Sequence, residues 1–154
     1  MNTKIYYTSE QITQAEEKIE NLLKDFADAK TSEERVMIYL ERKALQEQMY
    51  KMKAMRLPEV GEKVTEYLWS DRNAYTIVKV LSNDKVVIAE NKIADEAKVY
   101  EDYTEYVLPE VHEGTEITIS RRKNGMWYKV GAPTASGEVR YALGYWYAYY
   151  DPCF

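Results

Sequence analysis

Residues able to do covalent or acid–base chemistry are few in this chain and far apart. It has one histidine, His112, and one cysteine, Cys153, in 154 residues. Catalysis by a serine or cysteine nucleophile would have to use His112, and no spacing ties His112 to Cys153. One histidine and one cysteine cannot build the usual zinc sites. The phosphate-cradling patterns GxxxxGK[ST] and GxGxxG are absent, as is the metalloprotease pattern HExxH. Neighbouring carboxylates such as Glu101 and Asp102 could hold Mg²⁺ or act as a glycosidase pair. They lie in a segment so acidic that their adjacency carries no signal. The sequence therefore reads as non-enzymatic, with no cofactor and no metal.

Recognition chemistry is better represented. Trp69-Ser70-Asp71-Arg72 puts an aromatic ring, a hydroxyl, a carboxylate and a guanidinium on one turn. In a purely structural role Asp71 caps the turn, Arg72 pairs with it or with the acidic segment, and Trp69 packs in the core. In a functional role Arg72 grips an anion while Trp69 or Tyr75 stacks on a ligand. Arg121-Arg122-Lys123 is the one basic run, and it lies beside Trp127 and Tyr128. Arg121, Arg122 and Trp127 are thus an alternative ligand-binding set for a nucleotide or small molecule. The plainer reading is a solvated hairpin tip that keeps an edge from aggregating.

The largest concentration of recognition residues is at the C-terminus. The last sixteen residues hold five tyrosines and a tryptophan, and the chain has fifteen tyrosines in all. That exceeds what a core of this size needs, and Tyr, Trp and Arg supply most of the binding energy at protein interfaces. The expected partner-binding set is Trp69, Asp71, Arg72, Tyr75, Tyr145, Trp146, Tyr147 and Tyr149. Self-association is a second use of the same excess.

Net charge is −5 and unevenly placed. Residues 1–57 balance ten bases against ten acids, so the excess lies in residues 58–154. From Glu90 to Glu116 nine acids are opposed only by Lys92 and Lys98. Such a surface repels phosphate backbones and attracts basic partners, so direct nucleic-acid binding is not expected. Asp95, Glu96, Glu101, Asp102 and Glu105 form a candidate acidic surface that could imitate DNA. A solvated, solubilising loop is the plainer alternative.

The elements that must position these residues fall into two parts. Thr8 and Gln11 form a capping box, and Ile12, Ile19, Leu22, Leu23 and Phe26 follow at helical spacing. Thr31 begins a second capping box with Glu34, opening a longer helix striped by Ile38, Leu45, Met49 and Met52, which Pro58 ends. Residues 1–57 are therefore expected to be a helical hairpin. From about Glu59 the pattern turns to short alternating strands joined by turns, including Ser82-Asn83-Asp84 and the Asn124-Gly125 hairpin signal. Val139 to Tyr150 alternates throughout and predicts one long closing strand. The whole is an α+β protein, with a small antiparallel β-barrel or sheet over 58–154. No apolar run reaches the about 20 residues a membrane helix needs. The opening MNTKIYYTSEQ lacks an apolar leader core, so no secretory signal is expected.

Val60-Gly61-Glu62-Lys63-Val64-Thr65 resembles the first strand of SH3-like and KOW-type barrels. A broader resemblance rests on Trp69-Ser70-Asp71-Arg72-Asn73-Ala74-Tyr75-Thr76, on Lys123-Asn124-Gly125-Met126-Trp127 and on the closing Tyr149-Tyr150-Asp151-Pro152-Cys153-Phe154. These segments resemble a group of small accessory proteins of tailed bacteriophages that share W-[ST]-D-x-x-A-Y-T and an aromatic-D-P-x-F end. The resemblance spans most of 58–154 and excludes the helices. It implies a setting, the cytoplasm of a bacterial host, and brings no activity or site residues. The expectation is a phage accessory protein that binds a host or phage macromolecule, with inhibition of a host defence or nucleic-acid-processing system as the most concrete form. A nucleotide-sequestering protein and a minor virion component are the alternatives.

Overall fold

The computed structural model describes residues 4–94, 102–112, 114–132 and 139–150. The chain divides into two compact units, Met1–Leu57 and Pro58–Phe154.

The first unit is a helical hairpin of α1 (Ser9–Asp28) and α2 (Ser32–Ala54). Thr8 caps α1 through a full capping box with Gln11. At α2 the Thr31 hydroxyl accepts from the Glu34 amide, while the Glu34 carboxylate reaches one residue further back, to the Lys30 amide. Both caps satisfy amides that have no partner inside the helix. Ile12, Leu22 and Met52 are buried along the seam, and Lys53 pairs with Glu16 at 3.2 Å across it. Where the chain returns to its start, Tyr7 and Arg56 form a parallel bridge.

The second unit is a closed barrel of six antiparallel strands in sequence order: β1 (Lys63–Tyr67), β2 (Arg72–Ser82), β3 (Lys85–Glu90), β4 (Glu116–Arg121), β5 (Trp127–Lys129) and β6 (Arg140–Leu143). Closure by β6 on β1 removes the sheet edges a small open sheet would expose. The interior is filled by Val64, Tyr75, Ile77, Val86, Ile88, Ile119, Trp127 and Tyr141. The single-turn 3₁₀ helix η1 (Thr104–Tyr106) lies in the long β3–β4 connection.

Three local expectations change. Strict alternation along β2 puts Lys79 on the same face as Tyr75 and Ile77. A register shift between Ile77 and Lys79 resets the phase, so Lys79 is exposed and Val80 packs on the core. The Asn124-Gly125 turn is not a two-residue loop with both residues at positive φ. Only Gly125 has positive φ, and the paired bonds Gly125 N–H to Arg122 O and Arg122 N–H to Met126 O describe a turn closed by a glycine bulge. The third change is the largest: the closing strand stops at Leu143. Gly144, at φ +105°, turns the chain out of the sheet, and Tyr145–Tyr150 runs back over the outside of the barrel.

Candidate functional site

That C-terminal strap builds the candidate site. Its grip on the barrel is polar and specific. The Thr65 hydroxyl of β1 donates to the Tyr145 carbonyl at 2.8 Å and accepts from the Tyr147 amide at 3.0 Å. The Trp146 indole N–H donates to the Tyr75 carbonyl at 2.8 Å, and the Ala148 amide donates to the Thr104 hydroxyl. Tyr149 and Arg72 exchange both backbone bonds, at 2.7 and 3.0 Å, where β2 extends beyond the end of β3. Ala148 and Val107 are buried with Ala74 and Tyr103 in a second apolar cluster outside the barrel, against which Trp146 and Ile93 pack.

With Trp146 and Ala148 turned inward, the intervening tyrosines face out. Tyr145 and Tyr147 are exposed, and the rings of Tyr147 and Tyr149 stack nearly parallel with centroids 6.4 Å apart. The Tyr145 hydroxyl hydrogen-bonds the Tyr67 hydroxyl. Tyr67 is paired in register with Arg72 on one side and Arg140 on the other. Both guanidinium groups lie near its ring, 4.8 and 5.6 Å from the centroid. Each such contact is worth about 0.5–1 kcal/mol at an exposed site. Arg72 also donates to the carbonyls of Leu68 and Asp71, which fixes the β1–β2 turn. At the tip of that turn Trp69 is 87% exposed.

Most of the expected partner-binding residues therefore come together, in unequal roles. Tyr145, Tyr147, Tyr149 and Arg72 share one face, and Trp69 and Asp71 form the turn beside it. Trp69 does not pack in the core. Tyr75 does, and Trp146 is half-buried under the strap. Tyr67 and Arg140 were not singled out in the sequence. Their pairing follows only from β6 closing on β1, which no local pattern announces.

The two arginines of the basic run near the β4–β5 turn are used internally, while Lys123 is exposed. Arg121 is buried, lies 4.8 Å over the Trp127 ring and contacts Asp84 at 3.5 Å. Trp127 is 5% exposed, inside the barrel. Arg122 donates to the carbonyls of Lys129 and Ala132 and lies over Tyr128. These residues hold the hairpin and leave no open ring face beside Arg121. Of the acidic set, Asp95, Glu96 and Glu101 lie outside the described residues. Asp102 accepts from the Thr104 amide and hydroxyl, which holds its carboxyl below the usual range, and Glu105 is exposed.

Glu66 is a further residue that sequence reasoning missed. It is 7% exposed inside one end of the barrel, where it accepts from the Tyr141 hydroxyl at 2.8 Å and the Asn73 side-chain amide at 2.9 Å. Burial, with Glu66 and Glu90 nearby, pushes the Tyr75 hydroxyl well above the ordinary phenol range, and burial with the Glu66 bond does the same for Tyr141. Burial and then Glu66 raise the Glu90 carboxyl. Alternation from inward Val64 was the available signal, since Glu66 must follow it inside.

Comparison with protein-family models, with curated proteins and with solved structures finds no match to this chain. Among the described residues, no helix is long and apolar enough to cross a membrane.

Proposed function

We propose that this is a non-enzymatic binding protein whose barrel presents the aromatic and arginine face to a protein partner. The observation that carries this reading is Trp69, offered to solvent on a braced turn beside Tyr67, Arg72, Arg140 and the strap tyrosines. Exposing a tryptophan is costly in apolar hydration, and Trp, Tyr and Arg are the residue types that dominate protein interfaces. A rigid turn reduces the ordering cost of binding. The net charge of −5 disfavours a nucleic-acid ligand at this face. Arg140, exposed at its rim, suits an acidic segment of a partner. The setting implied by the phage resemblance makes a bacterial host protein the first partner class to test.

The test is a nuclease-treated pull-down from bacterial lysate with the wild-type chain, Trp69→Ala and Arg140→Glu side by side. A protein retained by the wild type and lost by both variants supports the reading. Equal retention by all three refutes it.

A further inference from the structure

The helical hairpin has an apolar surface that its own seam does not use. Ile38, Leu45, Met49 and Met52 make one stripe of α2, and α1 packs on it. A second stripe runs Val36, Leu40 and Ala44 at i, i+4 and i+8, with Met37 beside it, on a different side of the helix. These residues are exposed, Leu40 at 54% and Met37 at 69%. Five consecutive residues from Val36 to Leu40 are apolar, so one full turn of α2 is hydrophobic all round. Such a helix is normally buried on more than one side.

Charge indicates what covers it. From Glu20 to Glu41 the hairpin carries six acids against three bases, while residues 42–57 carry five bases against one acid. The closed end is thus acidic, and the end of α2 at the open end is basic. On α2 itself, Glu33 and Glu34 open the helix and Lys51 and Lys53 close it. A groove of about 520 Å³ at the acidic end is lined by Met37 and Ile38 together with Asp25, Asp28, Glu33 and Glu34. Helical spacing puts Glu33 and Lys51 at opposite ends of the Met37–Leu40–Ala44 row. This pattern is complementary to itself only when a second copy lies antiparallel, so that each acidic end meets a basic end.

We infer that the hairpin is half of a four-helix bundle, completed by a second copy of this chain packed α2 against α2 about a two-fold axis near Leu40 and Ala44. The apolar row forms the centre of that contact, and the Glu33 and Lys51 ends set its direction.

Sedimentation of the full chain tests this. The expected result is a species of twice 18.1 kDa. Leu40→Asp reduces it to a monomer with unchanged far-ultraviolet dichroism, since Leu40 is exposed in the single chain. Glu33→Lys and Lys51→Glu each weaken the dimer roughly tenfold at low salt. Mixing the two variants restores it as a heterodimer. A wild-type monomer at every concentration up to the millimolar range overturns the inference, as does a dimer unmoved by Leu40→Asp. A dimer strengthened by the neutral Glu33→Gln overturns the antiparallel arrangement, because neutralisation relieves repulsion only where like ends face each other.

Discussion

Glu90 makes the barrel's stability depend on pH, and the sign follows from its surroundings. The Glu90 carboxyl is raised above its ordinary value by burial and then by Glu66. The folded state therefore holds this proton more tightly than the unfolded chain does. The associated stabilisation is complete below the ordinary carboxylate pKa and is lost as pH rises through the folded value. Glu90→Gln is expected to raise the melting temperature at neutral pH and to flatten its dependence in the weakly acidic range. A wild-type and variant pair with parallel pH profiles would contradict this. At the alkaline end the same logic applies to phenols. Tyr75, Tyr103 and Tyr141 are raised by burial first, and Tyr145 to about 12 by burial and its bond to Tyr67. Unfolded tyrosines ionise near pH ~10, so stability falls as pH climbs past that value. Tyrosinate absorbance should show these four ionising late, with Tyr75 and Tyr141 doing so only as the barrel opens. Glu66 shows how partial sequence legibility is for single residues. Alternation pointed inward, but a glutamate ordinarily belongs at the surface. Tyr141, 75 residues away, and Asn73 on β2 supply the hydrogen bonds that let its carboxyl be buried.

The strap is the element on which the candidate site depends, and two residues control it. Gly144 adopts φ +105°, a region that costs an L side chain about 1–2 kcal/mol. Gly144→Val is expected to lower stability by at least that amount and to weaken partner binding, because the strap would tend to continue as strand. Thr65 holds the strap through two hydrogen bonds from one hydroxyl. Thr65→Val keeps the shape and leaves the Tyr145 carbonyl and Tyr147 amide unmatched, at a cost of about 1–3 kcal/mol. Hydrogen exchange should then quicken at Tyr147 and Tyr149 with little change in β3 and β4. Elements with strong local signals were legible: the Thr8 capping box, the Thr31 N-cap, the β2–β3 turn and the span of β3 appear where residue chemistry places them, while the Glu34 carboxylate reaches Lys30 rather than closing a box on Thr31. The strap was not legible. Alternation runs unbroken in the sequence from Val139 through Tyr150 and reads as one strand, yet a single glycine, Gly144, decides where the strand stops. The β2 bulge was hidden for a related reason: period two cannot reveal its own slip, which shows only when Val80 rather than Lys79 packs on the core.

At the scale of the whole molecule, two units with separate cores predict more than one unfolding transition. Ile88→Ala, in the barrel interior, should cost about 2–5 kcal/mol. It should shift the transition followed by tryptophan fluorescence more than the one followed by helical dichroism. Coincident shifts would show that the units unfold together. The two-part organisation was readable from the change in hydrophobic period near Pro58, because helix and strand periodicities are local properties. The face formed by Tyr67, Arg72 and Arg140 was not readable, because it exists only once β1 lies between β2 and β6. Our central proposal is that this face, with Trp69 at its edge, binds a protein. The most direct measurement replaces Trp69 with a photo-crosslinking phenylalanine analogue, expresses the chain in a bacterial host and illuminates the cells. The same analogue at Lys85, the first residue of β3 and away from the strap, is the control. The expected result is a discrete protein adduct from position 69 that is missing from position 85 and abolished by adding Arg140→Glu. Identical adduct patterns from both positions, or none from position 69, would contradict the proposal.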